Sequence, residues 1–409
     1  MHVRSVTRAD RAGCENGRTI RTTDPPHAPA SVGSADAVLA ARRSERPGVA
    51  IAHDYLTQRG GAERVALMLA RTFPEAPLHT TIYDAARTYP EFAGLGVRSS
   101  WLGRLAPLRA RHRLAFPALA PAVSAMRVTA EVTICSSSGW AHGVQATGRK
   151  IVYCHTPARW LYQPDTYVGG LPAPAAPALA VLGPLLRRWD RAAARSAHRY
   201  LVNSRAVRDR VHAVYGIDAE VLPPPVLLDA DGEAAVLPGV EPGFVMCVAR
   251  LVGYKNVDAV VEAFGLLPHE RLVVVGVGPM RARLEATAPA NVSFAGEVDD
   301  ATLRWLYRSA SALVSASYED FGLTPVEAAA FGKPSAVLRW GGFLDTVAEG
   351  ETGIFFDDLL ARSVADAVRR VRAGAWDPGH LRAHATRYAP EGFAARLREI
   401  VDEERKLGA

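Results

Sequence analysis

The stretch "SASYEDFGLTPVEAAAFGKPS", residues 315–335, sets Glu319 and Glu327 on either side of a Phe-Gly-Leu-Thr-Pro turn, with seven residues between the two carboxylates. The apolar run 311–317 reads as a strand and 324–332 as a helix, with Pro325 in the first turn, where its missing N–H is harmless. Glu319 then stands at the end of a strand and Glu327 about one turn inside the next helix. The loop N–H groups of Phe321, Gly322 and Leu323 can point at a polar ligand beside them. A carboxylate accepts hydrogen bonds from two adjacent hydroxyls, so one Glu on a ribose and the other on a sugar ring is a sensible division of labour. The plainer alternative is a capping carboxylate and a surface one, but apolar "ALVSAS" and "AAAFG" enclose both.

Working outward, the strand-helix alternation continues on both sides. Runs at 244–250, 271–278, 291–296, 333–340 and 352–356 read as strands, with helical patterns at 256–267, 279–288 and 300–310 between them. Further upstream, strand-like runs at 48–54, 78–84, 131–138, 150–156 and 199–204 alternate with helical stretches at 60–73, 185–198 and 204–216. Alternation of this kind predicts parallel strands covered by helices. A Pro-rich, acidic stretch, 222–243, interrupts the pattern and marks a boundary. The expected fold is therefore α/β, with two facing doubly wound Rossmann-like domains, 48–222 and 223–387, and a helix from about 388 to 409 packing back on the first. Residues 1–47, rich in Arg, Ser, Pro and Ala, read as a disordered leader, either a basic arm or residues added by a mis-assigned start. Ligands in such sheets sit where the carboxyl ends of strands open into a crevice, which with two facing sheets lies between the lobes.

Composition agrees with this division. A chain of 409 residues exceeds one ordinary core, and 49% apolar with 22% charged residues suits a soluble globular protein rather than a disordered or fibrous one. The four cysteines, Cys14, Cys135, Cys154 and Cys247, show no CxxC spacing, so neither a disulfide framework nor a zinc site is expected, and a reducing cytosol fits. A net charge of +6 favours anionic partners without choosing among them. Apolar runs are too short for a transmembrane helix. The segment "WLGRLAPLRARHRLAFPALAPAVSAMRV" (101–128) suits either an anionic membrane surface or an ordinary helix covering the sheet, and the Pro-broken run 171–186 is too short to span.

Two more motifs follow strands. In "DYLTQRGGAERV", Gly60 and Gly61 let backbone approach a ligand, and the helix they open favours a phosphate at its N-terminus, although a turn that merely packs has the same appearance. In "VARLVGYKNVD", Arg250 ends a strand and Lys255 precedes a helix. The pair suits a diphosphate, Arg by paired hydrogen bonds and Lys as a point charge, with a solvated lysine as the plain alternative.

From about residue 48 to 400 the chain resembles a retaining nucleotide-sugar glycosyltransferase of family 4, with the GT-B fold. The resemblance rests on "HDYLTQRGGAERV", "YCHTPARWLY", "VNSRAVRDRVHAVYG", "VARLVGYKNVD", "GGFLDTV" and above all the block ending "SASYEDFGLTPVEAAAFGKP". It implies that Glu327 holds the donor ribose, and that Glu319 with the amides of Phe321, Gly322 and Leu323 holds hydroxyls of the transferred sugar. Arg250 and Lys255 would bind the diphosphate and stabilise the charge growing on it. Gly60 and Gly61 would approach that phosphate from the opposite lobe, His155 would stand beside the sugar, and backbone near Glu297 and Val298 would meet the base. Without the match, His155 reads as a buried structural histidine.

One position departs from the common pattern: Asp320 gives "EDFG" where many members have "EGFG". That variant, together with "HDYLTQRGGAER" and "HTPARWLY", resembles a bacterial mannosyltransferase-like branch and points to GDP-mannose as donor. No Asp-x-Asp element stands where metal-dependent transferases use one, so no metal and no cofactor beyond the nucleotide-sugar donor is expected. The leaving phosphate would help deprotonate the acceptor on the same face. The acceptor, a glycan or lipid-linked hydroxyl in cell-envelope polysaccharide or glycolipid synthesis, would bind the first domain, in the cytoplasm or peripherally on the inner face of the plasma membrane. UDP-sugar donors remain an alternative. A non-hydrolysing sugar-nucleotide epimerase would share two facing lobes but would change the nucleotide sugar with no acceptor. A nucleic-acid-binding role has the pI in its favour and lacks a recognition module.

Overall fold

A computed structural model describes residues 47–110, 115–163 and 175–408. Residues 1–46 of the expected leader 1–47, with Cys14, lie outside the described residues, as do 111–114, 164–174 and 409. The chain forms β1 (Val49–His53), β2 (Leu78–Thr80), β3 (Val97–Ser99), β4 (Arg127–Val128), β5 (Val132–Ser137), β6 (Gln145–Ala146), β7 (Arg149–Cys154), β8 (Arg199–Val202) and β9 (Glu220–Val221). Seven of these make one sheet in the order β3-β2-β1-β5-β7-β8-β9, while β4 and β6 pair with each other. Beyond the boundary stand β10 (Val245–Val248), β11 (Leu272–Val275), β12 (Val292–Gly296), β13 (Ala312–Ser315), β14 (Ser335–Leu338) and β15 (Gly353–Phe356), in the order β12-β11-β10-β13-β14-β15. All the pairings within both sheets are parallel.

The central strands β1, β10, β11 and β13 read as near-continuous apolar runs because both of their faces are buried. On β7, Ile151 and Tyr153 enter one core and Val152 and Cys154 the other. On β10, Met246 faces one core while Val245 and Cys247 face the opposite one. In each sheet the strand order turns outward from a central pair, β1 with β5 and β10 with β13. Such a switch point leaves a crevice at the carboxyl ends of the central strands. The segments that leave β10 and β13 there carry Arg250, Lys255 and Glu319.

The stretch 222–243 has no regular element, yet it is held in place. Arg304 donates to the carbonyl of Asp229, and Arg308 to those of Ala230 and Gly232, so it lies on the helix Asp300–Ser309 of the second lobe. The chain recrosses near its end. Leu381 and Ala385 of the helix Pro378–Ala385 pack on Val326 and Ala329 of the second lobe. The following helix, Pro390–Gly408, lays Phe393, Leu397, Ile400 and Val401 against Ile51, Ile134 and Tyr153 of the first. Arg149–Glu404 at 2.7 Å and Arg396–Glu220 at 2.8 Å flank that seam.

Cys135, Cys154 and Cys247 are buried free thiols. Burial pushes Cys135 and Cys247 up to about 12, which makes them packing residues rather than nucleophiles. In the segment 101–128, Leu102, Leu119, Ala122 and Val123 are buried in the first lobe, whereas Trp101 and Leu105 are exposed. Among the described residues no helix is long and apolar enough to cross a membrane.

Candidate functional site

A cleft of about 780 Å³ opens between the carboxyl ends of the two sheets. Its walls include Gly60, Gly61 and His155 from the first lobe and Arg250, Lys255, Glu297, Val298, Glu319, Phe321, Gly322, Leu323 and Glu327 from the second. The structure thus brings all the residues singled out above onto one cavity, although they are drawn from segments 60–61, 155, 250–255, 297–298 and 319–327.

Each is placed by local structure. Gly322 adopts φ +87°, the left-handed region, and a Cβ there would lie 2.5 Å from the Phe343 ring, so only glycine lets the loop turn into the helix Leu323–Ala330. Pro325 falls within the first turn of that helix, and Glu327 lies deeper and is buried. The Tyr307 hydroxyl donates to Glu327 Oε2 at 2.8 Å, and the Tyr307 ring stacks on Phe331 with centroids 5.2 Å apart. Tyr307, which the sequence does not mark as special, thereby fixes the carboxylate's orientation.

Lys255 and Glu319 form an ion pair across the strand ends, with side chains 12% and 21% exposed. Asn256, next to Lys255, is a non-glycine residue with positive φ (48°), and its side-chain amide donates to the Ala316 carbonyl at 2.8 Å. That bond ties the lysine's loop to the end of β13. Arg250 donates to the Tyr254 hydroxyl at 2.6 Å, and Lys255 Nζ stands 5.2 Å from the Tyr254 ring centroid. Tyr254 therefore orients both cations, a role invisible in the spacing of the motif. Glu297 is largely exposed and lies 3.5 Å from Arg59, a solvated pair of little energetic weight.

From the first lobe, a Cβ on Gly61 would sit 3.7 Å from Leu323 of the second, so backbone there faces the glutamate loop directly. His155 is buried, and its Nε2 lies 2.8 Å from Ser136 Oγ, which in turn lies 3.0 Å from His53 Nδ1. Ser136 has one proton to give, so one of the two imidazoles must donate to it. Burial, reinforced by His53, pushes His155 down to about 3, and the ring is neutral at physiological pH. His155 is thus buried, as its plain reading expects, and it also lines the cleft. Glu63 lies 4.0 Å from His53 and accepts from Gln58 at 3.0 Å. Burial opposes its ionisation, but His53 and Gln58 prevail and hold it below the ordinary carboxylate value.

Asp320 also lines the cleft, but its carboxylate is turned to the first lobe, whereas that of its neighbour Glu319 pairs within the second. Its carboxylate accepts from Arg159 and, at 2.6 Å, from Arg210, both in the first lobe. Neither arginine is marked in the sequence as a partner of Asp320, although Arg159 lies within "HTPARWLY" and Arg210 within "VNSRAVRDRVHAVYG". Among the described residues no group of three or more His, Cys, Asp or Glu side chains is arranged to hold a metal ion.

Comparison with known proteins divides the chain as its sheets do. Residues 59–230 match the model for "Glycosyltransferase Family 4" and residues 234–392 that for "Glycosyl transferases group 1". The chain is 33% identical over 174 residues to a glycogen synthase of Thermus thermophilus, a match spanning 40% of each chain. It is 31% identical over 137 residues to the mannosylfructose-phosphate synthase of Agrobacterium fabrum, covering 29% of this chain and 30% of that one. The chain therefore spans well under half the length of these curated relatives. In fold it is similar to the Anabaena protein HepE solved with UDP and glucose, with a TM-score of 0.63 over 87% of this chain and 100% of that one at 17% identity.

Proposed function

We propose that this GT-B glycosyltransferase, built from a family 4 first domain and a group 1 second domain, moves a hexosyl group from a nucleotide sugar to an acceptor hydroxyl with retention of configuration. The observation that carries the reading is the convergence of Arg250, Lys255, Glu319 and Glu327 with Gly61 and His155 on one interlobe cleft. Glu327, steadied by Tyr307, takes the ribose hydroxyls. Glu319 and the amides of Phe321, Gly322 and Leu323 take the transferred sugar, with His155 opposite. Arg250 and Lys255 hold the diphosphate, and backbone at Glu297 and Val298 meets the base. As the bond from the anomeric carbon to phosphate oxygen lengthens, negative charge grows on the diphosphate, and preorganised cations there stabilise it more than they stabilise the ground state. The departing phosphate oxygen accepts the acceptor's proton on the same face as the new bond.

GDP-mannose is the proposed donor, on the resemblance of the "EDFG" and "HTPARWLY" segments to a mannosyltransferase-like branch. A relative named for mannosyl transfer agrees with it, whereas a fold neighbour that holds UDP and glucose favours the alternative donor class. The acceptor is a glycan or lipid-linked hydroxyl in cell-envelope synthesis, reached from the cytoplasm. Exposed Trp101 and Leu105 beside Arg104 suit a lipid surface. Thermal-shift and turnover measurements with GDP-mannose, UDP-glucose, UDP-N-acetylglucosamine and the free diphosphates test this. GDP and GDP-mannose are expected to stabilise the protein, and stabilisation by the UDP compounds alone overturns the mannosyl assignment. Because the two cations neutralise the diphosphate, turnover is expected to survive EDTA, and its abolition with recovery on added divalent ion would show that a metal is required. Conversion of the nucleotide sugar without any acceptor would favour the epimerase.

A further inference from the structure

The loop between the two glutamates sends neighbouring carboxylates in different directions. Glu319 pairs with Lys255 inside the second lobe, whereas Asp320 reaches across the cleft, its side chain 14% exposed. There it accepts from the guanidinium of Arg159 and, at 2.6 Å, from that of Arg210, both equally buried. The Ser204 hydroxyl donates to the Asp320 carbonyl at 2.5 Å, so backbone and side chain are both held by the first lobe. Behind the loop, the Gly342 N–H donates to the Glu319 carbonyl at 3.0 Å, and a Cβ on Gly342 would lie 2.2 Å from the Phe321 Cα. The loop is thus clamped between its own lobe and the opposite one.

The partners of Asp320 lead directly to His155. Arg210 also donates to Thr156 Oγ1 at 2.7 Å, and Thr156 follows His155 in the chain. Arg159 lies four residues after His155, and its guanidinium sits 4.9 Å from the ring centroid of Tyr254, the residue that orients Arg250. A short path therefore joins the two walls: Glu319, Asp320, Arg210, Thr156, His155. Burial disfavours the Asp320 anion, but Arg159 and Arg210 outweigh it and hold the carboxyl below its ordinary value, so the tie is charged at neutral pH. Little water reaches it, so salt screens it weakly.

We propose that Asp320, through Arg159 and Arg210, is a positioning residue of the transfer site: it fixes how far Glu319 and His155 stand apart across the cleft, and so governs turnover of a donor already bound to the second lobe. This rests on the glycosyl-transfer reading given above, and it assigns to the Asp of "EDFG" a task distinct from choosing the donor.

The test is the variant set Asp320→Asn, Asp320→Glu, Arg210→Ala and the double variant R210A/D320N, in the full chain. Asp320→Asn is expected to lower kcat roughly 100-fold, the cost of a misplacement of about 1 Å, while KM for the donor stays within about threefold of wild type. Asp320→Glu, which keeps the charge, recovers part of the loss. The double variant is no worse than the poorer single one, because the pair acts as a unit. Binding of GDP or UDP at wild-type affinity reports that the second lobe remains folded. Wild-type kcat in Asp320→Asn, a loss residing wholly in donor KM, or additive effects in the double variant each overturn the proposal. Solution scattering gives a readout that needs no turnover: Asp320→Asn should show a larger radius of gyration than wild type, and identical curves count against the tie. Absence of turnover in the wild type with every donor sinks the transferase reading instead, and the scattering comparison still judges the tie.

Discussion

Glu327 spends one oxygen on the Tyr307 hydroxyl, and removing that hydroxyl isolates what the bond does. Tyr307→Phe is expected to leave the fold intact and weaken donor binding by about 1.5–3 kcal/mol, the usual range for a hydrogen bond to a charged group, read as a rise in donor KM. Lys255→Ala should behave differently, cutting kcat by at least about 100-fold while the protein keeps its melting behaviour, since in the proposed mechanism the lysine meets charge that develops in the transition state. Retained turnover would remove its assigned role. His155 makes a prediction in pH. Its folded-state value, about 3, lies below the unfolded value, so the unfolded chain takes up a proton first as pH falls. The neutral ring's stabilisation is complete above pH ~6.5 and is lost at about 1.4 kcal/mol per pH unit down towards the folded value. The fall in melting temperature between pH 6.5 and 4 should therefore be shallower in His155→Gln than in wild type, and parallel curves would show that the ring titrates normally. At this scale the sequence displayed the residue types and hid their partners. Glu319 and Glu327 are legible as cleft residues because apolar segments enclose both and the block that carries them resembles a family motif. The holders of Asp320 stand at positions 159 and 210, inside two of the quoted segments, but nothing local in either pairs them with a carboxylate more than a hundred residues away.

At the scale of elements, the glycine turn before the helix Leu323–Ala330 is the tightest requirement. Gly322→Ala demands a left-handed backbone and a Cβ 2.5 Å from the Phe343 ring, and it should destabilise by at least about 1–3 kcal/mol. Urea unfolding measures this, and a shift below about 0.5 kcal/mol means that the loop relaxes without cost. Strands with uninterrupted apolar runs, such as β10 and β11, are legible in the sequence because burial on both faces favours apolar residues at every position. The three-residue β3 and two-residue β9 are not, for they are sheet edges whose pairing comes from neighbours rather than from their own composition. The segment 101–128 illustrates a pattern that periodicity leaves open. Its Leu119 and Val123 are buried whereas Trp101 and Leu105 are not, because the neighbouring sheet and helices decide which apolar residues find cover.

For the whole molecule, the two lobes share one cavity and are joined by two chain crossings, the irregular stretch 222–243 and the passage from the helix Pro378–Ala385 to the helix Pro390–Gly408, so a ligand bound in the cleft is expected to stabilise both. A nucleoside diphosphate at about 100 times its Kd adds about 2.7 kcal/mol to stability, and a single melting transition should move upward as one. Two separate transitions, with the upper one alone responding, would mean that the lobes melt independently. The helix Pro390–Gly408 argues for one transition, since Leu397 and Ile400 are fully buried against the first sheet although they follow the second in the chain. Leu397→Ala is expected to cost 2–5 kcal/mol by the usual range for a buried leucine, measured in urea. That placement has a consequence for how the protein is made: strands 49–154 leave the ribosome hundreds of residues before the side chains that seal one of their faces, so an apolar surface stays uncovered through most of synthesis, and chaperone capture of the nascent chain should end only when residues 390–408 emerge.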